Sequence, residues 1–317
     1  MKKLPAISVG AALALTGILY GVYKFAFDSL NQTQNDDLHV AITPQMTERA
    51  KKIRSMIEEA RSIPFERVYI TSHDGLKLSG RYYHQQDGAP LDICFHGYRG
   101  TPARDFSGGI QIMLREGHNV LMIEERAHLQ SEGHTITFGI KERYDALDWI
   151  QYALQRFGED TRIILVGISM GAATVLMAAD LELPESVRCI VADCPFSSPR
   201  AIIESVVRSR RPGQRLLLPL MGGAARLFGG FELDGASAVG AVARTKLPIL
   251  LIHGEEDRYV PCEMSRQIAA ACASSVRLET FPGAGHGLSY LTDPARYHRI
   301  VREFLTDSGV PCEGGTS

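Results

Sequence analysis

The sequence predicts an α/β fold: a mostly parallel eight-stranded sheet with helices on both faces and a small cap insertion. Three observations lead there. Six short aliphatic runs recur along the chain: "LDICF" (91–95), "NVLMI" (119–123), "RIILV" (162–166), "CIVAD" (189–193), "PILLI" (248–252) and "VRLET" (276–280). Helical patterns fall between or after them, around 106–115, 140–157, 170–182, 262–272 and 294–306. Near-continuous apolar strands alternating with amphipathic helices imply a parallel sheet covered on both sides. Upstream, "ERVYITSHDGLKLSGRYY" (66–83) is two strand-like runs joined by Asp74-Gly75, a hairpin signal that supplies the other two strands.

The 317 residues suffice for a substantial core, and 45% hydrophobic with 22% charged residues is ordinary for a globular chain. A net charge of −2 lacks the basic excess of a nucleic-acid-binding protein. No solenoid-length repeat or low-complexity tract is visible.

The chain begins differently. From Leu4 to Tyr23 no charge interrupts an apolar run of the ~20 residues a bilayer-spanning helix needs. It continues well past a candidate cleavage site at "ALA" (12–14), whereas a secretory apolar region stops after roughly 7–15 residues. Residues 1–30 therefore read as an uncleaved single-pass anchor. Lys2 and Lys3 before it, against Lys24 after it, lean towards an extracytoplasmic domain. "TPQMTERAKKIRSMIEEARS" (43–62) reads as an exposed, charge-laced helix, a juxtamembrane stalk within 31–64.

Cys94, Cys189, Cys194, Cys262, Cys272 and Cys312 form no C-x-x-C pair and no zinc-spaced cluster. Cys94, Cys189 and Cys272 lie in apolar runs, where free cysteine behaves as a small hydrophobe.

One connection is long. Some fifty residues separate Pro195 from Leu247, including a basic "RSRRPGQR" (208–215) and an apolar "LLLPLMGGAARLFGGF" (216–231). This insertion, about 196–246, reads as a cap or lid over a site, or as extra packing helices at the sheet edge.

The chemistry starts at "GISMG" (167–171). A strand precedes it and a helical pattern follows, the setting of a nucleophile elbow with Ser169 at its tip. Glycines flank the serine because so sharp a turn leaves no room for side chains. A hydroxyl is a poor nucleophile until a base removes its proton, so a histidine and an orienting acid must follow. "HGEEDRYVP" (253–261) offers Glu255, Glu256 and Asp257 after one strand, and "FPGAGHGLSY" (281–290) offers His286 after the next. Two oxyanion donors are expected. One is the N–H of Met170; the other, in "HGYRG" (96–100), is the N–H of Tyr98 with Arg99 second. His96 reads as a residue that hydrogen-bonds this loop.

These motifs, in this order, resemble the α/β-hydrolases over about 65–305. More closely, the chain is similar to membrane-anchored bacterial hydrolases of the serine aminopeptidase S33 / BEM46-like group. The resemblance implies that the acid is the Asp of D-x-x-V-P, Asp257, ahead of Glu255 and Glu256. One loop departs from the pattern. Where many relatives have D-x-R-G-x-G-x-S, this chain has "EERAHLQS" (124–131), keeping Arg126 and Ser131 but bringing Glu125 and two non-glycines.

The expected function is a membrane-anchored serine hydrolase opening ester-like acyl bonds through an acyl-enzyme, with no metal or organic cofactor. Its partners would be a small-molecule or lipid-like acyl substrate and, through the N-terminal helix, the membrane. An S33-type aminopeptidase, a thioesterase and a non-catalytic binding protein on the same fold stand as alternatives.

Overall fold

The computed structural model describes residues 9–29, 48–210 and 217–312. Eight strands form one sheet: β1 Glu66–Thr71, β2 Lys77–Tyr83, β3 Leu91–Phe95, β4 Asn119–Glu124, β5 Ile163–Ile168, β6 Val187–Asp193, β7 Ile249–Gly254 and β8 Val276–Phe281. Their order is β1-β2-β4-β3-β5-β6-β7-β8. The first hairpin and the β2–β4 pair are antiparallel, and every other pair is parallel. From β3 the chain turns to one side to lay down β4, then crosses back to lay β5 on the other. Connections leaving β3 and β5 thus diverge and open a crevice at their carboxyl ends, where ligands bind in such sheets.

The helices are α1 Val9–Ala26, α2 Glu48–Ser62, α3 Pro102–Asp105, α4 Gly109–Arg115, α5 Glu142–Phe157 and α6 Met170–Ala178. There follow α7 Pro199–Arg210, α8 Leu217–Ala224, α9 Ala238–Val242, α10 Glu263–Ala271, α11 Ser289–Thr292 and α12 Pro294–Asp307. Alternation along β5 divides the core. Ile163 and Leu165 join Trp149 of α5 and Leu176 of α6 on one face. Ile164 and Val166 join Ile110 of α4 and Phe304 of α12 on the other. All six cysteines are unpaired.

The described residues bear on three expectations. The membrane anchor is the first. Among the described residues no helix is long and apolar enough to cross a membrane. Residues 4–8 of the apolar run lie outside the described residues, and α1 begins at Val9. Its carboxyl end is also committed to the fold. Tyr23 and Phe27 are buried, Phe27 packs edge-on against Phe138 and Phe231, and its carbonyl accepts from the Ile136 N–H. Lys2 and Lys3 lie outside the described residues.

The stalk is the second. Residues 43–47 are outside the described set, and α2 is seated on the domain, with Ile57 and Ala60 buried. The third is the insertion. Ile202, Ile203 and Val207 of α7, Met221 and Ala224 of α8 and Val242 of α9 are buried in the main core. Most of the basic segment 208–215 lies outside the described residues. The packing reading of this insertion therefore fits its described helices.

Candidate active site

Ser169 stands between β5 and α6 with φ 56° and ψ −110°, a left-handed backbone that costs a non-glycine residue energy. The surrounding packing holds it there. A Cβ on Gly171 would come within 1.9 Å of the Phe95 carbonyl oxygen, and one on Gly167 within 2.4 Å of the Gly171 backbone. Both glycines are required by close approach, as the tight turn demanded.

Because β5, β6, β7 and β8 are consecutive in the sheet, their carboxyl ends bring Ser169, Asp257 and His286 to one place. His286 Nε2 is 2.9 Å from Ser169 Oγ, and its Nδ1 is 2.6 Å from Asp257 Oδ2. Nδ1 donates to the carboxylate, which leaves Nε2 to accept the serine proton. Asp257 Oδ1 accepts from the N–H groups of Tyr259 and Val260, both at 2.8 Å. Burial pushes the Asp257 carboxyl up, but hydrogen bonds from His253, His286 and Val260 outweigh it, so the group is held below the usual carboxylate range. Glu255 and Glu256 are exposed; Glu255 accepts from Thr280 Oγ1, and neither borders the cavity at Ser169.

Met170 opens α6, so its N–H lies in a first turn that has no intrahelical acceptor. The β3 loop runs beside the serine: a Cβ on Gly97 would sit 3.3 Å from Ser169 Cβ. The Gly97 N–H is held by Asp105 Oδ2 at 2.7 Å, and the Arg99 N–H by His128 Nε2 at 3.1 Å. Tyr98, between them, stacks on Phe138 and donates through its hydroxyl to the Ala26 carbonyl of α1. His96 is fully buried; its Nε2 accepts from the Glu125 N–H, so Nδ1 donates to the Gly97 carbonyl. Burial, with His96 beside it, pushes His128 down to about 3, which keeps that ring neutral and able to accept.

A cavity of about 470 Å³ opens at Ser169 and His286. Its walls come from β5, β6, α2, α4 and α12, and no described residue of the 196–246 insertion borders it. The described helices of the insertion pack beside the sheet and do not line this cavity.

A profile of the alpha/beta hydrolase family matches residues 93–300. The chain belongs to the alpha/beta hydrolase family. The Bacillus subtilis protein YqkD is 24% identical over 309 residues, covering 96% of this chain and 97% of that protein. The Schizosaccharomyces pombe protein bem46 is 22% identical over 261 residues, covering 78% and 79%. The solved structure of the Pyrococcus furiosus esterase Pf2001 matches with TM-score 0.65 and 26% identity, covering 79% of this chain and 93% of that one. The protein is thus a hydrolase of this family, with esterases among its neighbours.

Within the hydrolase pattern, the loop 124–131 needs one correction. Counting back from Arg126 puts the family's acid at Glu124, not Glu125. Glu124 is fully buried and accepts from Arg67 and Arg81 at 3.0 Å each. Ala127 and Leu129 fill the two glycine places with φ of 62° and 48°, so the left-handed backbone persists without glycine.

Sequence reasoning passed over three residues. His253, fully buried, accepts from Ser265 at Nδ1 and donates from Nε2 to the Val260 carbonyl, fixing the loop that holds Asp257. Asp105 ties down the β3 loop. Asp193 ends β6, where its carbonyl accepts from the Ser169 N–H and its Oδ2 from the Tyr297 hydroxyl. Burial pushes the Asp193 carboxyl up to about 6. His253 and Asp193 carried only the signal of a polar side chain at the end of an apolar strand, and Asp105, the last residue of α3, carried none.

Proposed function

We propose that this hydrolase opens ester-like acyl bonds with Ser169 as nucleophile, His286 as general base and acid, and Asp257 as the carboxylate that orients the imidazole. The unbroken line of hydrogen bonds from Asp257 through His286 to Ser169 carries the reading. As Ser169 Oγ bonds to the substrate carbonyl carbon, its proton passes to His286 Nε2. Charge forming on the carbonyl oxygen is met by the Met170 and Tyr98 amides, aided by the amino end of α6. Collapse breaks the bond to the leaving alcohol, which takes the proton from Nε2. Water, deprotonated by the same nitrogen, then attacks the acyl-enzyme, and breaking the serine ester bond returns the proton to Oγ and frees the acid. Asp257, kept ionised, holds the tautomer that places the lone pair on Nε2 and stabilises the imidazolium.

A fluorophosphonate probe tests this assignment. Labelling of the wild type that disappears in Ser169→Ala is expected. An unlabelled wild type, or unchanged labelling in the variant, overturns it.

A further inference from the structure

We infer that the acyl chain of the substrate threads downward from Ser169 into the gap between the sheet and helices α4 and α12, and does not lie under the cap insertion. This rests on the proposed nucleophile for where the chain begins. Its course is argued separately, from the cavity.

The central strand carries the first observation. Val166 in the middle of β5 keeps 8% of its surface exposed, whereas Leu165 on the opposite face keeps 0%. The helix layer therefore stands off the sheet at Val166, while Ile164, deeper on the same face, is fully covered. The cavity at Ser169 runs down this face, between Ile164, Val166 and Val191 on the strands and Ile112, Val301 and Leu305 on the helices.

The chemistry of these walls selects the occupant. β5 pairs with β3 and β6, and β6 pairs with β5 and β7, so their backbone groups are engaged in the sheet. A peptide drawn into such a gap would lose its hydrogen bonds to water and find no ladder to join. A hydrocarbon chain would lose nothing and gain burial.

The far end sets the length. There the lining changes to Asp92 with His118, paired at 2.9 Å, and Glu116 with His298 and Arg302, at 2.5 and 3.5 Å. From Ser169 back to Ile164 is five strand residues, about 16 Å at ~3.3 Å each. Single bonds of about 1.5 Å in a zigzag cover that distance in roughly a dozen carbons. A longer chain would press methylenes onto buried charges. The substrate class is accordingly an ester of a medium-chain acid.

Two measurements test the inference. In a p-nitrophenyl ester series from acetate to palmitate, kcat/KM should peak near decanoate to dodecanoate. Val301→Trp, which fills the gap from the half-exposed side of α12, should lower dodecanoate turnover at least tenfold. Butyrate turnover and probe labelling should stay within twofold, and Ile112→Phe on α4 should act in the same direction. Equal loss for short and long esters in both plugged variants, with their melting temperatures unchanged, overturns the inference, as does no loss for either. Calorimetry with dodecanoic acid and the Ser169→Ala protein separates this from the nucleophile assignment. Binding that Val301→Trp abolishes supports the cavity even where probe labelling fails, and no binding counts against the cavity even where labelling succeeds.

Discussion

The guanidinium of Arg99 donates to the carbonyl of Phe25 at 2.8 Å, joining the loop beside Ser169 to the end of the N-terminal helix. It also reaches the Asp28 carbonyl at 3.1 Å, while the neighbouring Tyr98 hydroxyl holds the Ala26 carbonyl. The Phe25 and Ala26 carbonyls are among those a helix leaves without partners at its carboxyl end, where a cation is favoured, and Asp28 lies just beyond it. The helix end and the proposed oxyanion loop thus fix one another. Arg99→Ala should lower kcat for a short ester about tenfold, a fraction of what losing an oxyanion donor outright costs. KM should change little and probe labelling should slow. Unchanged kcat in a folded variant would show that the loop keeps its place without the helix.

The hydrogen-bonded triad predicts strong non-additivity. Asp257→Asn keeps the shape but favours the wrong imidazole tautomer, and a loss in kcat of about 10⁴-fold is expected. His286→Ala and Ser169→Ala should each cost about as much as the two together, because the groups act as a unit. Steady-state kinetics on the single and double variants measures this. Additive losses would mean that serine and histidine act in separate steps.

The elbow glycines give a stability contrast within one residue type. Gly171→Ala puts a methyl 1.9 Å from the Phe95 carbonyl oxygen, where backbone must move. About 3 kcal/mol of destabilisation is expected. In α8, Gly222 has nothing within 4 Å of such a methyl, so Gly222→Ala should gain about 1 kcal/mol from helix propensity. Denaturant unfolding of both variants checks the pair of signs.

Much of this arrangement was legible because near-continuous apolar runs mark the parallel strands and the site residues follow them. All eight strands coincide with apolar runs or hairpin halves, and Ser169, Asp257 and His286 each sit just past one. What sequence could not supply was the spatial partner of an otherwise ordinary residue. Ile53 and Met56 sit in a charge-laced helix, and nothing along the chain says that they border the cavity. Val166 reads as core on any pattern, and its residual exposure depends on how far α12 stands off. The apolar start of the chain met the length rule for a span, yet Tyr23 and Phe27 serve contacts with residues over a hundred positions away. Periodicity reports which face is apolar, not what covers it.

The buried pair at the far end of the cavity makes stability depend on pH. His118 Nδ1 lies 2.9 Å from Asp92 Oδ2, and its Nε2 lies 3.0 Å from the Pro311 carbonyl oxygen. Burial works against a charged ring, but the Asp92 carboxylate and the accepting groups outweigh it and raise His118 to about 11. Its unfolded value is near 6.5. The folded state therefore holds the proton more tightly, and this stabilisation is complete below about pH 6.5 and lost as pH rises towards 11. His118→Gln removes the charge and leaves Asp92 buried without its cation, at a cost of about 3 kcal/mol near neutrality. Melting temperatures between pH 6 and 10.5 should show the wild type well above His118→Gln at pH 6.5 and the gap narrowing steadily above it. A gap that stays constant across that range would mean that His118 is neutral in the folded protein.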